Sequence, residues 1–103
     1  MVIYNSIIPV KGYKLINLFG ILFARKGCNI TEIDITHEKI HTAQMKELLY
    51  IGFYIWYILE YIYLLIKFKS RNKAYRLNRF EKEAYDNQNI PDYLTNRKHY
   101  NYL

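Results

Sequence analysis

Apolar and polar residues alternate in different ways along the chain, and the patterns divide it into a strand region and a helical region. Residues Val2 to Ile8 are mostly β-branched or aromatic, and Pro9 and Gly12 follow them, so this segment predicts a short strand and then a turn. A second apolar run, Ile16 to Lys26, contains Gly20. This run predicts either one strand with a bulge or the two short strands of a hairpin.

The next segment predicts a helix that begins at Thr36 and runs to about Leu49. Residues Ile30 to Ile35 alternate apolar and polar side chains, and Thr36 is a residue type that caps helix N-termini. Gly52 is the only helix breaker before the following apolar stretch, so we expect a bend there.

The segment from Leu48 to Phe68 is almost entirely apolar or aromatic and is long enough to cross a bilayer. A span would place every downstream residue about 30 Å from the upstream part of the chain. A turn at Gly52 would instead return a helix from about Phe53 to Phe68, antiparallel to its predecessor, with residues near Ile66 alongside His37. We favour this buried or interfacial return helix, and a single span stays an open alternative.

Basic residues are concentrated between Lys67 and Arg79, which predicts a basic linker. Asn78, with Glu81 three residues later, is a variant of the capping box and predicts a third helix with Glu81 in its first turn. Pro91 prevents this helix from continuing, so residues 91–103 are expected to form a polar, tyrosine-rich tail.

These elements predict an α+β fold that is mainly α. It has short N-terminal β-strands or a hairpin, a first helix, a hydrophobic return helix and a third helix that carries a glutamate. A length of 103 residues fits one compact domain over residues 1–103. Within it we expect a strand region at 1–27, a helical core at 36–88 and the tail at 91–103.

The net charge is +6, and the basic residues between Lys67 and Arg79 could face a membrane surface or nucleic acid, although a solvated face is the default interpretation. The sequence has no zinc-finger, RRM or helix-turn-helix motif, so nucleic acid is not the expected partner. Cys28 is the only cysteine, which excludes an internal disulfide and a cysteine-based metal site. The N-terminal residues lack the features of a secretory signal, so we expect a cytoplasmic protein or one peripheral on the inner face of the membrane.

His37, Glu38 and His41 form one H-E-x-x-H motif on the first predicted helix. Positions i and i+4 lie above one another on a helix, so both imidazoles point the same way with Glu38 beside them. Two neutral imidazoles suit zinc, and a carboxylate next to the first ligand is placed to take a proton from water without itself binding the metal. Glu38 is therefore the candidate general base.

The same histidines have a structural alternative. Ile40, His41, Met45 and Leu48 share one stripe of the helix, so the imidazoles could be hydrogen-bonded residues at the edge of a core. In that case neither ring would need a metal.

A catalytic zinc usually has three protein ligands, so a third is needed. The candidates are Glu81, Glu83, Glu60 and His99. Glu81 fits best, because the return helix leaves the segment that follows it beside the histidines. Glu60, a carboxylate inside an apolar helix, is a candidate to accept the free N–H of a zinc-bound histidine, and a solvated, outward Glu60 is the alternative.

The chain resembles the gluzincin metallopeptidases, including the HtpX and CAAX-prenyl-protease group, in two places. These are H-E-K-I-H at 37–41 and F-E-K-E-A-Y at 80–85. In that group a Glu three residues before an Ala is the third zinc ligand, and the resemblance assigns this role to Glu81, which precedes Ala84. The group usually has Asp after the Ala, to support a ligating imidazole, where this chain has Tyr85. The motif with its Thr-Ala-Gln extension also resembles small bacterial HExxH proteins of unassigned activity.

The resemblance implies a compact, reduced zincin-like domain that hydrolyses peptide bonds with zinc, with Glu38 as general base. In zincins a strand beside the motif helix commonly pairs with extended substrate, so the N-terminal strands are expected either to do this or merely to cover the helices. Two alternatives stay open. One is a non-catalytic protein associated with a membrane surface, and the other is a structural zinc protein whose metal holds the helices together.

Overall fold

The computed structural model describes residues 2–7, 14–90 and 92–103, and it has the α+β, mainly helical architecture expected from the sequence. The strands are β1 (Val2–Asn5), β2 (Leu15–Leu18) and β3 (Ile21–Arg25). They form one sheet in the order β1-β3-β2, in which β1 is parallel and β2 antiparallel to β3. The second apolar run is therefore a hairpin, and the predicted turn at Pro9 and Gly12 lies outside the described residues.

The first helix, α1 (Glu32–Glu47), begins earlier than predicted. Its N-cap is Thr31, whose hydroxyl accepts from the Asp34 backbone N–H at 3.2 Å while the Asp34 carboxylate accepts from the Thr31 N–H at 3.0 Å. This reciprocal capping box satisfies two N–H groups at the helix start, so the chain becomes helical before Thr36. The prediction of Thr36 as N-cap is wrong, and the alternating residues 30–35 lie mostly inside the helix.

The chain turns after α1, but Gly52 does not make the turn. Leu49 and Tyr50 adopt left-handed backbone angles, with φ of 56° and 61°, and Gly52 lies in the first turn of α2 (Ile51–Phe68). The turn is stabilised by the Tyr50 N–H, which donates to the Met45 carbonyl at 2.7 Å. The predicted bend is therefore present, two residues earlier than expected.

Helix α2 contacts α1 through its N-terminal half. The Phe53 ring lies 6.0 Å from the His41 ring, and Tyr57 reaches Glu81, whereas Ile66 is 71 % exposed. The prediction that residues near Ile66 return alongside His37 is thus wrong. Within α2 only Phe53 is buried, so the helix is not the buried element that one alternative required.

Two short helices follow α2. The segment predicted as a basic linker contains α3 (Arg71–Leu77), capped by Ser70, and it packs along α2. Helix α4 (Arg79–Asn87) has Asn78 as its N-cap, as predicted, with the Asn78 side chain accepting from the Phe80 N–H at 3.0 Å. Helix α4 packs on α1, which places Glu81 against the motif helix.

The C-terminal residues are part of the folded structure rather than a polar tail. A single helical turn, α5 (Tyr93–Asn96), is followed by Arg97, whose side chain is 5 % exposed and pairs with Glu47 and Glu83. Tyr102 joins the main apolar cluster, which also contains Met45, Phe53 and Phe80.

Candidate metal centre

Three potential metal ligands meet where α1 packs on α4. His37 and His41 lie one turn apart on α1, and Glu81 comes from the first turn of α4. Glu81 Oε1 lies 3.0 Å from His37 Nε2 and 3.0 Å from His41 Nε2, and the two Nε2 atoms are 3.1 Å apart. All three residues are buried, and together they form a group able to hold a metal ion.

The spacing of these atoms fits a small tetrahedral metal. Ligand atoms bound to zinc at its usual bond lengths are separated by about 3.3 Å at tetrahedral angles. The three ligand atoms form a nearly equilateral triangle with sides of 3.0–3.1 Å, slightly smaller than this value. A metal over the triangle would bind all three and keep a fourth position free.

Two glutamines determine which nitrogen of each histidine carries a proton. The Gln44 amide nitrogen donates to the Phe80 carbonyl at 3.0 Å and to Glu83 Oε1 at 2.9 Å. The Gln44 oxygen must then face His41 Nδ1, 2.8 Å away, and only a protonated Nδ1 can donate to it.

His37 Nδ1 faces the Gln88 side-chain oxygen in the same way, at 2.7 Å. In the neutral rings both Nε2 atoms therefore present lone pairs to the Glu81 carboxylate. Three electron-rich atoms this close together need a proton or a cation among them.

In the metal-free protein a proton takes this place. Burial lowers the pKa of His41, but the charge of Glu81 and the hydrogen bonds that His41 donates to Glu81 and Gln44 raise it more, to about 9. Burial raises the pKa of Glu81, yet the charge of His41 and the hydrogen bonds that His41 and Tyr57 donate hold it well below its ordinary value. A histidinium and a carboxylate thus satisfy the three atoms without a metal ion.

Tyrosines surround the three ligands. The Tyr57 hydroxyl donates to Glu81 Oε2 at 2.6 Å, which leaves Oε1 facing the histidines. Tyr85 stands where the gluzincin group usually has Asp, and its ring packs edge-on against His37 with 4.5 Å between ring centroids. Its hydroxyl pairs with that of Tyr75 at 3.0 Å, so the support of the His37 ring nitrogen comes from Gln88 instead.

Glu38 is half-buried and lies beside a cavity of about 630 Å³, among the residues that line it together with His41 and Glu81. The remaining lining comes mostly from apolar and aromatic residues of β2, α1 and α2, among them Leu15, Leu18, Met45, Phe53, Tyr54 and Ile58. Burial raises the pKa of Glu38, partly offset by the two histidines. A carboxylate with a raised pKa beside potential metal ligands has the properties of a general base.

Strand β2 is tied to the motif helix beside this cavity. The Asn17 amide donates to the Glu38 carbonyl at 2.9 Å and to the Thr42 hydroxyl at 2.8 Å. The Asn17 side-chain oxygen accepts from the Gly20 N–H, so the hairpin turn packs against α1 as well. This strand is an edge of the sheet, and whether it pairs with a substrate stays a prediction.

The other three candidate residues do not reach the histidine nitrogens. Glu60 accepts from the Arg79 backbone and guanidinium groups, each at 2.6 Å, and from Trp56 at 3.3 Å. The predicted role of Glu60 as acceptor of a histidine N–H is therefore wrong, since Gln44 and Gln88 occupy those positions. The His99 side chain is 87 % exposed and pairs with Glu47, and Glu83 touches the site only through Gln44.

Sequence reasoning missed the residues that support the ligands. Gln44 follows His41 by three residues, so helical spacing alone could have placed it beside that ring. Gln88 contacts His37, 51 residues away in the chain, and Tyr57 contacts Glu81, 24 residues away. No local sequence pattern predicts such contacts.

The chain matches no protein-family model, no curated protein and no solved structure. The resemblance to the gluzincin signatures therefore stays a hypothesis.

Proposed function

We propose that this protein is a zinc-dependent metallopeptidase in which Glu38 is the general base. The observation that carries the proposal is the convergence of three lone-pair donor atoms, from His37, His41 and Glu81, beside a cavity that Glu38 also lines. Two imidazoles and one carboxylate are the ligand set of several zinc hydrolases.

The ligand number supports a catalytic rather than a structural metal. Structural zinc sites are usually closed by four protein ligands, whereas catalytic sites have three and keep one position open. Three ligands converge among the described residues of this chain. A purely structural zinc would also not explain why Glu38 lines the cavity.

Bound zinc would supply an acidified water molecule and polarise the scissile carbonyl. Glu38 would take the proton of the attacking water and deliver it to the leaving nitrogen. Gln44 and Gln88 hold the two rings with Nε2 unprotonated, and Tyr57 orients the Glu81 carboxylate. The apolar cavity wall favours a substrate with an apolar side chain next to the cleaved bond.

The proposal is tested by comparing Glu38→Gln with the wild type. Protein purified without added metal is analysed for zinc and then assayed with a quenched-fluorescence peptide library rich in apolar residues. We expect about one zinc per chain in both proteins and cleavage by the wild type alone, since the substitution removes a base and not a ligand. Glu32→Gln, which changes an exposed carboxylate on the same helix, is the control and should cleave normally.

Three results would contradict the proposal. Zinc far below one per chain that titration cannot restore would exclude the metal centre. Equal loss of zinc in Glu38→Gln and His41→Ala would contradict the division of roles between base and ligand. Stoichiometric zinc without cleavage of any library peptide would favour the structural metal.

A further inference from the structure

Helix α2 presents a continuous aliphatic surface to solvent. We call this surface the outer face of α2; its side chains are between 46 % and 71 % exposed, and it consists of Ile51, Ile55, Ile58, Leu59, Ile62 and Ile66. The spacing of these residues places them on one side of the helix over about 22 Å of its length. The opposite side packs against the core through Phe53, Trp56 and Tyr57.

An exposed apolar surface of this kind marks an interaction site more often than an ordinary protein surface. By length and composition, α2 is long and apolar enough to cross a membrane, and 11 % of it is buried within the protein. A bilayer and a second protein surface are the two environments that would remove such side chains from water.

The charges around the outer face favour an anionic bilayer. Exposed basic residues lie at the C-terminal end of α2 and directly after it: Lys67 in the last turn, then Lys69, Arg71 and Lys73. The Lys67 ammonium lies 5.9 Å from the Tyr63 ring centre and 5.4 Å from that of Phe68, so it packs on aromatic rings near the C-terminal end of α2.

Negative charge in the same part of the chain is already neutralised. Within residues 46–79 the only acidic residues are Glu47 and Glu60, and each is in an ion pair with an arginine. Two copies packed through their outer faces would therefore offer these basic groups no unpaired acidic residue from the same segment of the other copy. Anionic lipid headgroups supply the missing charge.

The packing of α3 determines how α2 can enter the bilayer. Helix α3 lies along α2 and carries exposed Arg71, Lys73 and Arg76, and the ion pair of Glu60 with Arg79 lies on the inner side of α2. A membrane-spanning α2 would carry these charges into hydrocarbon, which is strongly unfavourable. An α2 that lies in the plane of the surface buries only its outer face.

We propose that the outer face of α2 binds in plane to an anionic lipid bilayer, with Lys69 and Lys73 at the headgroups. Ile58 belongs both to this face and to the lining of the cavity beside Glu38. Membrane binding therefore brings one wall of the cavity next to the lipid surface. The proposal does not depend on the metal centre, and removal of metal leaves vesicle binding unchanged.

The first test is co-sedimentation of the full chain with vesicles. The wild type binds vesicles that contain phosphatidylserine, binds pure phosphatidylcholine vesicles more weakly, and dissociates as salt is raised. The double variant Ile55→Glu, Ile62→Glu loses at least about 10-fold in affinity, because two charges enter the apolar contact. Ile33→Glu, at an exposed position of α1, is the matched control and keeps wild-type affinity.

The lysines are tested separately. Lys69→Gln combined with Lys73→Gln weakens binding to phosphatidylserine vesicles by about fivefold per lysine and leaves the weak binding to phosphatidylcholine unchanged. Lys39→Gln on α1 is the control and has no effect. Circular dichroism and thermal unfolding of every variant establish that it is folded.

The second test measures depth in the bilayer. Cys28 is the only cysteine, so Cys28→Ser followed by single cysteines at positions 55, 59, 62 and 66 allows one fluorophore to be placed at each. Lipid quenchers at known depth report equal, shallow positions for an in-plane helix. A depth that changes steadily along the series would show a span and overturn the proposal. No binding to phosphatidylserine vesicles by folded wild type, or a dimer in vesicle-free solution that Ile55→Glu, Ile62→Glu dissociates, would overturn it as well.

Discussion

The α1–α4 interface and the outer face of α2 distribute polar and apolar side chains in opposite ways. The buried side chains at the interface are largely polar or ionisable, and they include His37, His41, Gln44, Glu81 and Glu83. The outer face of α2 consists entirely of Ile and Leu and lies in contact with water. Most small domains have the reverse distribution, with the longest apolar helix innermost.

The two regions differ in what each needs to be stable in the folded protein. A buried polar group is acceptable only when its hydrogen bonds are made, and Gln44 shows this, since its oxygen and its nitrogen together reach three partners. The protein stays folded without a partner for an exposed aliphatic side chain, but the transfer of that side chain from water to an apolar environment is favourable. The candidate metal ligands are therefore buried in the interior, whereas the outer face of α2 is suited to binding another apolar surface.

The largest effect expected is on the polar interior. Arg97 lies between Glu47 and Glu83 with all three side chains at most 7 % exposed. Arg97→Ala leaves two buried carboxylates without their cation, so the free energy of unfolding should fall by about 3–5 kcal/mol.

Chemical denaturation measures this change. Arg79→Ala is the control, because the Arg79 side chain is 43 % exposed and its ion pair with Glu60 should contribute about 1 kcal/mol or less. Equal destabilisation by both substitutions would mean that the C-terminal residues are not docked as described.

The next effect concerns metal affinity. Glu81→Ala removes one of three ligands and should weaken zinc binding by about 10-fold or more. Glu60→Ala removes a carboxylate that does not touch the histidines, so its zinc affinity should be that of the wild type. Competition with a chromogenic chelator measures both. Loss of zinc in Glu60→Ala but not in Glu81→Ala would contradict the assignment of the third ligand.

Local sequence patterns predicted the positions of the candidate ligands but not the residues that hydrogen-bond to them. The spacing of His37 and His41 and the cap at Asn78 are local, and both predicted the positions that the structure shows. The helix start was misplaced because residues 30–35 alternate like a strand, although Thr31 and Asp34 form a local capping box. The docking of Arg97 on Glu47 joins residues 50 positions apart, and composition predicted only a polar tail.

Glu60 was misassigned for a geometric reason. The predicted return helix ran alongside the motif helix, which would have brought Glu60 to its middle. In the structure Phe53 contacts α1 at His41, whereas Tyr57 reaches Glu81 on α4 and Glu60 faces α4 through Arg79. The direction in which two helices cross depends on side-chain packing at the contact, which no periodicity in the sequence specifies.

The pH dependence of the site should have opposite signs with and without metal. The folded pKa of His41, about 9, lies above its unfolded value of 6.5. Its contribution to the stability of the metal-free protein is therefore complete below pH 6.5 and is lost as pH rises through 9. The lowered pKa of Glu81 gives a contribution that is present above pH 4.5 and is lost as pH falls.

Zinc must displace the His41 proton, so zinc affinity should rise about tenfold per pH unit below pH 9. Thermal unfolding in chelator and zinc titration over the same pH range measure the two trends. A zinc affinity that does not change between pH 6.5 and 8.5 would mean that His41 is not protonated in the metal-free site.

The smallest effect distinguishes the two regions most directly. Ile62 lies on the outer face of α2 and is 46 % exposed, whereas Phe53 on the same helix is 4 % exposed and packs against Phe80 and His41. Ile62→Gln should change the free energy of unfolding by less than about 0.5 kcal/mol in the absence of lipid, because glutamine is a good helix former and little burial is lost. Phe53→Ala should lower it by about 3–5 kcal/mol. Chemical denaturation without vesicles measures both, and a loss above about 1.5 kcal/mol for Ile62→Gln would mean that the outer face is covered in solution.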